Sequence, residues 1–501
     1  MGSGTQDEIE RKFDVDTETI FPSLAGVDGV SGVGQPDELE LVAVYFDTSG
    51  LDLARNGITL RRRTGGDDAG WHLKVPRATD TRTEHHLPLG RATKTVPQAI
   101  LAPVRGIVRD RQLAQVARVS THRREYTLLG EDSTVLATVC DDAVDAERLD
   151  VPGEVQSWRE WEVELVDGDL PVLELVESAL LDAGARKASV GSKLGRILGD
   201  AVPPAPRKRR AGDSAGQLVQ AHLAELAARL QEQDARLRTG QPGSVHKLRI
   251  AARRSRSTLK TFKPLLVPGS ADTLAEELRW LGQALADARD AQVLRERLRL
   301  LVASEPPELL LGPVLNRIED ELRRDYRAGL DGALKALDSE RYFRLLDTLD
   351  EFVLSTPLTP EADAPARKVL PRLLARDGKR LRRAVDGIEG SQEAAEHDAA
   401  LHEARKKAKR LRYAAESARP ALGKRAKKLA AAAKKVQQAL GQHQDSVVAR
   451  ERLREYGVKA YTEGENGFSF GRLHALEQHR AGEAEQEFDE AWKKLRSTIG
   501  S

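Results

Sequence analysis

Hydrophobic and polar positions follow two different patterns along the chain. Up to about residue 200, apolar residues come in short runs that often alternate with polar residues and are separated by Gly, Asp and Pro. This alternation is typical of strands that bury one face. From about residue 213, segments rich in Ala, Leu, Arg, Glu and Lys repeat at helical period. The pattern therefore predicts an α+β protein, with an antiparallel β domain followed by an all-α domain.

The expected elements can be read as short sequence segments. The predicted strands are EIERKFDVD, ELELVAVYFDT, GITLRRRT, GWHLKVP, TRTEHHLPL, RREYTLLG, STVLATVCDDAV and WREWEVELVDG. Helices are predicted at residues 95–104 and 171–184, and in the second half at 214–237, 244–264, 271–300, 313–337, 365–386, 397–418 and 424–455. Residues 200–212, DAVPPAPRKRRAG, are Pro-rich and then basic without periodicity, which predicts a linker.

The helical half contains an internal repeat. VHKLRIAARRSRSTL at 245–259 matches LHEARKKAKRLRYAA at 401–415 without a gap. QALADARDAQVLRERL at 283–298 matches QALGQHQDSVVARERL at 438–453. Because the two matches have nearly the same offset, the repeat predicts two related half-bundles.

Charge divides the chain in the same place as the hydrophobic pattern. The net charge is +1, but residues 1–200 hold 23 Lys and Arg against 35 Asp and Glu, and the remainder holds 56 against 43. The basic half indicates a polyanionic partner. The chain has one cysteine, no apolar run of membrane-spanning length and no signal-peptide pattern at its start. These features predict a cytoplasmic protein without a membrane partner.

Several predicted strands gather charge on one face, because alternate residues of a strand share a face. The first strand groups Glu8, Glu10 and Lys12, and WREWEVEL groups three glutamates opposite large apolar residues. An ordinary solvated face would explain any single strand. Enclosing the charges of five strands would cost several kcal/mol per ion unless opposite charges and a bound ion offset it. Clustered carboxylates select Mg²⁺ or Mn²⁺, and clustered Arg and Lys select phosphate, so together they indicate a polyphosphorylated ligand with its metal.

EIERK at 8–12 resembles the E-x-E-x-K signature of the CYTH family of triphosphate tunnel metalloenzymes. YFDT, LRRR, LKVP, TRTE, EWEVEL and SKLGR follow in the family's order, and the resemblance covers residues 5–199. It implies an antiparallel β-tunnel with a charged lumen, in which triphosphates are hydrolysed or cyclised with Mg²⁺ or Mn²⁺.

The resemblance also implies roles for individual residues. The implied metal ligands are Glu8, Glu10, Asp141, Glu160, Glu162 and Glu164. The implied phosphate contacts are Lys12, Arg61, Arg63, Lys74, Arg82, Arg124 and Lys193. Glu160 and Glu162 resemble the pair that orients the attacking water, and Lys12 is assigned with them to catalysis. Whether Arg123 or Arg124 faces the lumen stays open, and Asp142 competes with Asp141.

Three helical stripes of basic residues mark the second half. They comprise His246, Arg249, Arg253 and Arg256; Arg372, Arg376, Lys379 and Arg383; and His402, Arg405, Lys409 and Arg412. On a helical wheel the first four share an arc of roughly 80°. A solvated helix face would explain one such stripe, but the exact repeat favours an anion-binding surface. Asp290 and Asp445 are expected to be structural partners of the basic residues.

The motifs VHKLRIAARRSRS, ALADARD, LHEARKKAKRLRYAAE and ALGQHQD resemble those of the CHAD family, across about residues 213–500. The resemblance implies two four-helix bundles that bind inorganic polyphosphate. Gln444 stands where Arg289 stands in the first repeat, so the two repeats need not bind equally.

The residues and resemblances together predict metal-dependent hydrolysis of inorganic triphosphate, or a related triphosphate, in the tunnel, with polyphosphate binding by the helical domain. One alternative is a polyphosphate-binding protein without enzymatic activity. Another is a nucleotide cyclase, although the sequence shows no recognisable base-binding pocket. Aromatic residues make up 4% of the chain, which argues against nucleic acid as a partner because stacking platforms are scarce.

Overall fold

The computed structural model describes residues 4–78, 80–90, 95–151, 153, 155–204, 213–390 and 393–500. The chain divides into two compact units, Met1–Arg207 and Lys208–Ser501. The first is built on antiparallel strands and the second on helices, which confirms the predicted fold class. Residues 205–212 of the predicted linker lie outside the described part.

Ten strands and five helices make up the described part of the first unit. The strands are β1 Gly4–Val15, β2 Gly32–Val33, β3 Asp37–Thr48, β4 Thr59–Thr64, β5 Gly70–Ala78, β6 Thr81–Pro88, β7 Leu113–Leu129, β8 Val135–Arg148, β9 Val155–Leu165 and β10 Arg186–Lys187. The helices are α1 Asp52–Arg55, α2 Gln98–Leu101, α3 Arg105–Val108, α4 Leu170–Asp182 and α5 Lys193–Leu198. The helix predicted at 95–104 is thus two short helices joined by a 3₁₀ turn, Ala102–Val104.

Eight of the described strands close into an antiparallel barrel, in the order β1-β6-β5-β4-β3-β7-β8-β9 and back to β1. Closure leaves these strands without a free edge. The pairing of β1 with β9 places Lys12 opposite Glu162 and Glu10 opposite Glu164. Because paired residues point to the same face, the charged faces of the two strands meet inside the barrel.

The apolar faces of the strands point outward, under the covering helices. Trp161 and Val163 on β9 are fully buried against Leu173, Val176 and Leu180 of α4. Burial of large apolar side chains on this side stabilises the barrel from outside. The alternate, polar positions of β9 are therefore left to the interior.

Ten helices form the described part of the second unit. They are α6 Ala215–Arg238, α7 Ser244–Thr261, α8 Asp272–Ala284, α9 Ala286–Ala303, α10 Val314–Leu337, α11 Glu340–Leu354, α12 Ala366–Asp386, α13 Ala394–Ser417, α14 Arg419–Thr462 and α15 Phe468–Gly500. The predicted helix at 271–300 is two helices, α8 and α9, and the sequence prediction missed α11 and α15. Inside α14 the backbone bends at Gly423, whose φ of +50° suits glycine.

The repeated motifs lie on helices that pack together. The first motif lies on α7 and α13, which contact each other directly, and the second lies on α8–α9 and on α14. A large hydrophobic cluster joins most helices, and a smaller one joins α9, α10, α14 and α15. None of the helices in the described ranges combines the length and the hydropathy needed to cross a membrane.

Candidate functional site

The barrel encloses a polar cavity of about 560 Å³. Ten of the residues predicted for the tunnel line it: Glu8, Glu10, Lys12, Arg61, Arg63, Lys74, Arg82, Glu162, Glu164 and Lys193. They come from β1, β4, β5, β6, β9 and the N-terminus of α5. The strand alternation read from the sequence therefore places most of the predicted residues on the interior face.

A lysine lies at the centre of three carboxylates behind one wall of the cavity. The Nζ atom of Lys193 lies 2.7 Å from Glu160 and 2.8 Å from both Asp142 and Glu162. Burial alone would lower the pKa of Lys193, but the three carboxylates raise it well above its ordinary value. Oxygens of the three carboxylates also lie within 4.8 Å of one another, which is a possible metal-ligand grouping. In this arrangement the ammonium of Lys193 already neutralises part of their charge.

Glu162 connects this carboxylate group to the cavity. Lys12 and Arg123 both contact Glu162, Arg123 with its Nη2 atom at 2.9 Å. Burial would raise the pKa of Glu162, but Lys12, Lys193 and Arg123 lower it well below the ordinary value. Glu160 does not line the cavity, because Trp158 Nε1 and Lys193 hold its carboxylate at 2.6 and 2.7 Å. Of the two predicted catalytic glutamates, Glu162 is therefore the one that can reach a ligand.

A second carboxylate group in the cavity comes from β1, β6 and β9 and comprises Glu8, Glu10, Glu84 and Glu164. Burial and a hydrogen bond with Glu84 raise the pKa of Glu8 to about 8. Burial also raises the pKa of Glu164, and nearby Glu10 adds to the effect. The ammonium of Lys74 lies 2.5 Å from Glu8. Because the carboxyl groups of Glu8, Glu10 and Glu164 face one cavity, a cation bound among them would relieve their repulsion.

The opposite wall carries arginines. Arg61 and Arg63 both line the cavity, as predicted from their alternation on β4. Arg61 hydrogen-bonds with Tyr45, and no described carboxylate lies within ion-pair distance of its guanidinium. Arg63 is paired with Asp68 of the β4–β5 loop. Burial, Arg61 and Arg123 together lower the pKa of Arg63 to about 9.

Two predicted tunnel residues are corrected by the structure. Arg124 is exposed and pairs with Glu38 at 3.3 Å, so Arg123 is the arginine that faces inward. Asp141 lies on the outer side, where Arg159 and the indole of Trp161 bind its carboxylate, and Asp142 takes the inner position. Arg124 lies opposite Asp141 on the neighbouring strand, and Arg123 lies opposite Asp142. Because opposite residues point to the same face, the inward position of Arg123 and that of Asp142 go together.

Several polar residues that line the cavity were not predicted, among them Glu84, Tyr45 and Asp68. Glu84 lines the cavity and lies 2.8 Å from His72 Nδ1. Tyr45 supports Arg61, and Asp68 reaches the cavity from a loop. Glu84 is two residues after Arg82 on β6, so strand alternation places both on the same face and could have pointed to Glu84. No sequence pattern pointed to Asp68, because a loop residue has no strand parity.

The helical unit holds a second candidate site, a basic cavity of about 540 Å³ between α7, α12 and α13. Nine of its eleven lining residues are cations: Arg253, Arg256, Lys260, Arg380, Arg383, Lys406, Lys407, Lys409 and Arg410. No carboxylate occurs among these described lining residues. This cavity, called the basic basin below, brings together members of all three predicted stripes.

Cations from both repeats lie close together around the basin and lower the pKa of their basic neighbours. Burial and the nearby charges of Arg253, Arg405 and Arg249 lower the pKa of Lys409 to about 6. Burial and neighbouring arginines, Arg289 first, lower the pKa of His246 to about 4. Such crowding of cations is unfavourable in itself and favours a bound anion.

The repeat positions have matching carboxylate partners. Arg249 pairs with Asp290 at 2.6 Å, and the equivalent Arg405 lies 3.7 Å from Asp445. This agrees with the prediction that both aspartates are structural partners. The histidines differ, since His402 Nδ1 lies 2.6 Å from the side-chain oxygen of Gln444, where the first repeat has Arg289.

Eight of the twelve predicted stripe residues do not line the basin: His246, Arg249, Arg372, Arg376, Lys379, His402, Arg405 and Arg412. Arg412 turns to Glu416 and Gln437, and Arg372 pairs with Glu361. Arg376 lines a neighbouring cavity and Lys379 is exposed, whereas Arg380, which was not predicted, lines the basin. On α12, buried Asp377 pairs with Arg380 of the same helix and with Arg410 of α13.

Comparison with known families agrees with this two-unit architecture. The CYTH domain family matches residues 6–182 and the CHAD domain family matches residues 221–454. Two uncharacterised proteins of Mycobacterium tuberculosis, from strains CDC 1551 / Oshkosh and ATCC 25618 / H37Rv, are each 40% identical over 98% of this chain and 97% of their own length. The chain is a CYTH–CHAD protein.

Solved structures resemble single units of the CYTH–CHAD protein. PptA from Streptomyces chartreusis is 23% identical and covers 56% of this chain and 99% of its own, with a TM-score of 0.47. The CHAD domain from Ricinus communis is 24% identical and covers 59% and 97%, with a TM-score of 0.45. HpAC1 from Hippeastrum, described as having a dominant triphosphatase activity, is 15% identical and covers 39% and 96%, with a TM-score of 0.23.

Proposed function

We propose that the CYTH–CHAD protein hydrolyses inorganic triphosphate, or a closely related triphosphate, in the tunnel with Mg²⁺ or Mn²⁺. Membership of the CYTH family supports a triphosphate substrate. We further propose that the basic basin of the helical unit binds inorganic polyphosphate. The two activities use separate groups of residues, so each can be tested without the other.

The main support for the tunnel proposal is that Arg61 lies in the cavity without a carboxylate partner among the described residues. Its guanidinium is enclosed in the cavity, its Nε atom is buried without a hydrogen-bond partner, and no described carboxylate pairs with it. A buried guanidinium without a carboxylate at ion-pair distance can take a ligand anion as its partner. Lys12, Lys74 and Lys193 provide further cations for the phosphates.

The residues present fit a divalent cation. Glu8, Glu10 and Glu164 offer hard oxygen ligands facing the cavity, and burial raises the pKa of Glu8 and Glu164. The group at Asp142, Glu160 and Glu162 is a weaker fit, since Lys193 occupies its centre. A bound Mg²⁺ or Mn²⁺ would neutralise charge on the transferring phosphoryl group.

The chain's own residues supply the remaining chemistry. Glu162, held ionised by its neighbours, is the carboxylate positioned to orient an attacking water toward a phosphate in the cavity. Arg61, Arg63 and Lys74 hold the phosphate oxygens by charge-assisted hydrogen bonds. Because no step needs a covalent enzyme intermediate, catalysis rests on positioning and charge neutralisation.

The two alternative functions remain distinguishable. A nucleotide cyclase needs a place for a base, and Tyr45 is the one aromatic side chain among the described residues that line the cavity. A polyphosphate-binding protein without activity would use the tunnel as a second anion site. The polar carboxylate groups of the cavity favour hydrolysis, since binding of an anion alone does not require them.

The test is release of phosphate by the full-length protein from inorganic triphosphate, ATP and thiamine triphosphate, each with Mg²⁺ and Mn²⁺. We expect turnover of inorganic triphosphate that Glu162→Gln abolishes. Glu40→Gln, at an exposed position of β3, is the matched control and should retain activity. Formation of a cyclic nucleotide from ATP would support the cyclase, and binding without any turnover would support the non-enzymatic alternative.

A further inference from the structure

The loop between β4 and β5 brings a carboxylate to the phosphate-binding wall of the cavity. Asp68 forms an ion pair with the guanidinium of Arg63. Both residues line the cavity, but the Arg63 side chain is 9% exposed on a barrel strand and that of Asp68 is 39% exposed on a loop. Among the described residues, Asp68 is the only carboxylate at ion-pair distance from Arg63.

The loop is held so that the carboxylate stays at this position. His72 Nε2 lies 3.0 Å from the backbone oxygen of Asp68. Gly65 and Gly66 have φ values of +84° and +71°, and a Cβ atom on Gly65 would lie 2.0 Å from the backbone oxygen of Glu40. The turn therefore requires glycine, and it directs Asp68 into the cavity rather than away from it.

The charges at Arg63 favour an anion there. Burial lowers the pKa of Arg63, and the neighbouring cations Arg61 and Arg123 lower it further. Arg61, on the same strand face, has no described carboxylate partner. The two arginines thus differ in one respect, since Arg63 has a carboxylate from its own chain where a phosphate oxygen would otherwise bind.

We propose that Asp68 is a built-in competitor of the substrate: it occupies the anion position at Arg63 until a phosphoryl group displaces it. This inference deepens the proposed function and depends on it for the identity of the ligand. Displacement exchanges one charge-assisted contact of Arg63 for another, so Arg63 contributes less net affinity than Arg61. Asp68 thereby limits binding of weak anions and holds the substrate affinity below what the cations alone would provide.

The experiment is calorimetric titration of the full-length protein with inorganic triphosphate, without divalent metal, so that binding is measured separately from turnover. We expect Asp68→Asn to bind about tenfold more tightly, which corresponds to ~1.4 kcal/mol. Asp67→Asn is the matched control, since Asp67 also lines the cavity but has no described ion pair. It removes the same charge from the same loop and should change affinity less than twofold.

A double-mutant cycle tests whether Asp68 acts through Arg63. In the Arg63→Ala background, Asp68→Asn should no longer tighten triphosphate binding, because Asp68 then has no guanidinium for which to compete with the phosphate. Asp68→Ala serves as a second variant if the asparagine variant is poorly folded. Equal affinity of wild type and Asp68→Asn, or equal effects of the Asp67 and Asp68 variants, would overturn the inference while leaving the proposed function intact. Triphosphate binding by neither wild type nor the Asp68 variants would reject both.

Discussion

Lys409 is predicted to take up a proton when a polyanion binds the basic basin. Burial and the charges of Arg253, Arg405 and Arg249 lower its pKa to about 6, so at pH 7.5 the amine is mostly neutral. A bound polyphosphate would neutralise the surrounding arginines and bring the Lys409 pKa back toward its ordinary value of ~10.4. The complex would therefore hold close to one more proton at this position than the free protein.

The sign and size of the effect follow from linkage. Because the bound form holds the additional proton, affinity should rise as pH falls from ~10 toward ~6, by up to about tenfold per pH unit from this group. Below pH 6 the contribution should level off, since Lys409 is then charged in the free protein as well. His246 and His402, whose pKa values are lowered by burial and by neighbouring cations, can add protons of their own.

The assay is calorimetric titration with long-chain polyphosphate at pH 7.5, in buffers of different ionisation enthalpy. The slope of the apparent enthalpy against the buffer enthalpy gives the number of protons taken up. Lys409→Arg keeps the charge but remains protonated throughout, so it should remove about one proton of uptake and bind more tightly than wild type at pH 8. Lys435→Met, at an exposed position of α14, is the control and should keep the wild-type uptake. Equal uptake by wild type and Lys409→Arg would refute the reasoning.

Three further predictions concern the tunnel. Arg123→Ala should lower the free energy of unfolding by ~3–5 kcal/mol because it removes one partner of buried ion pairs, whereas Arg124→Ala should lower it by less than ~1 kcal/mol. Denaturant unfolding followed by tryptophan fluorescence measures both, and similar losses would contradict the assignment of Arg123 to the inner face. Arg61→Ala should weaken triphosphate binding by ~1.5–3 kcal/mol, whereas Arg62→Ala, on the outer strand face, should leave the affinity within twofold of wild type. Calorimetric titration measures both affinities, and equal losses would mean that the register of β4 is wrong. Glu10→Gln should abolish metal-dependent phosphate release by the folded variant, and phosphate release within about threefold of wild type would exclude Glu10 as a metal ligand.

The amino-acid pattern alone was enough to predict the class of each unit and ten of the residues that line the tunnel. Alternation decided this for strands such as β9, because the large apolar residues Trp161 and Val163 mark the outer face and leave Glu162 and Glu164 to the inner one. The internal repeat likewise determined which basic residues correspond, and the matching of Arg249 with Asp290 and of Arg405 with Asp445 follows it. In both cases the information is periodic and local, so it does not depend on how distant elements meet.

The sequence did not show which of two adjacent residues faces the barrel interior wherever both residues had the same chemistry. Arg123 and Arg124 are both arginines, and Asp141 and Asp142 are both aspartates, so hydrophobicity does not distinguish the inner residue of either pair. The cross-strand register settles the two questions together. On α12 the sequence did not distinguish Arg380, which lines the basin with Arg383, from its basic neighbours, because the pairing of buried Asp377 with Arg410 was not visible in the sequence.

Only the tertiary structure decided which charges meet. Lys193 lies on a helix 31 residues after Glu162, yet its ammonium lies among three carboxylates of two strands. Asp68 belongs to a loop without periodicity, and its pairing with Arg63 depends on the turn at Gly65. Charge, unlike hydrophobicity, gives a residue no preferred side of the chain; the partner that neutralises it is chosen by barrel closure and helix packing, which bring together positions far apart in the sequence.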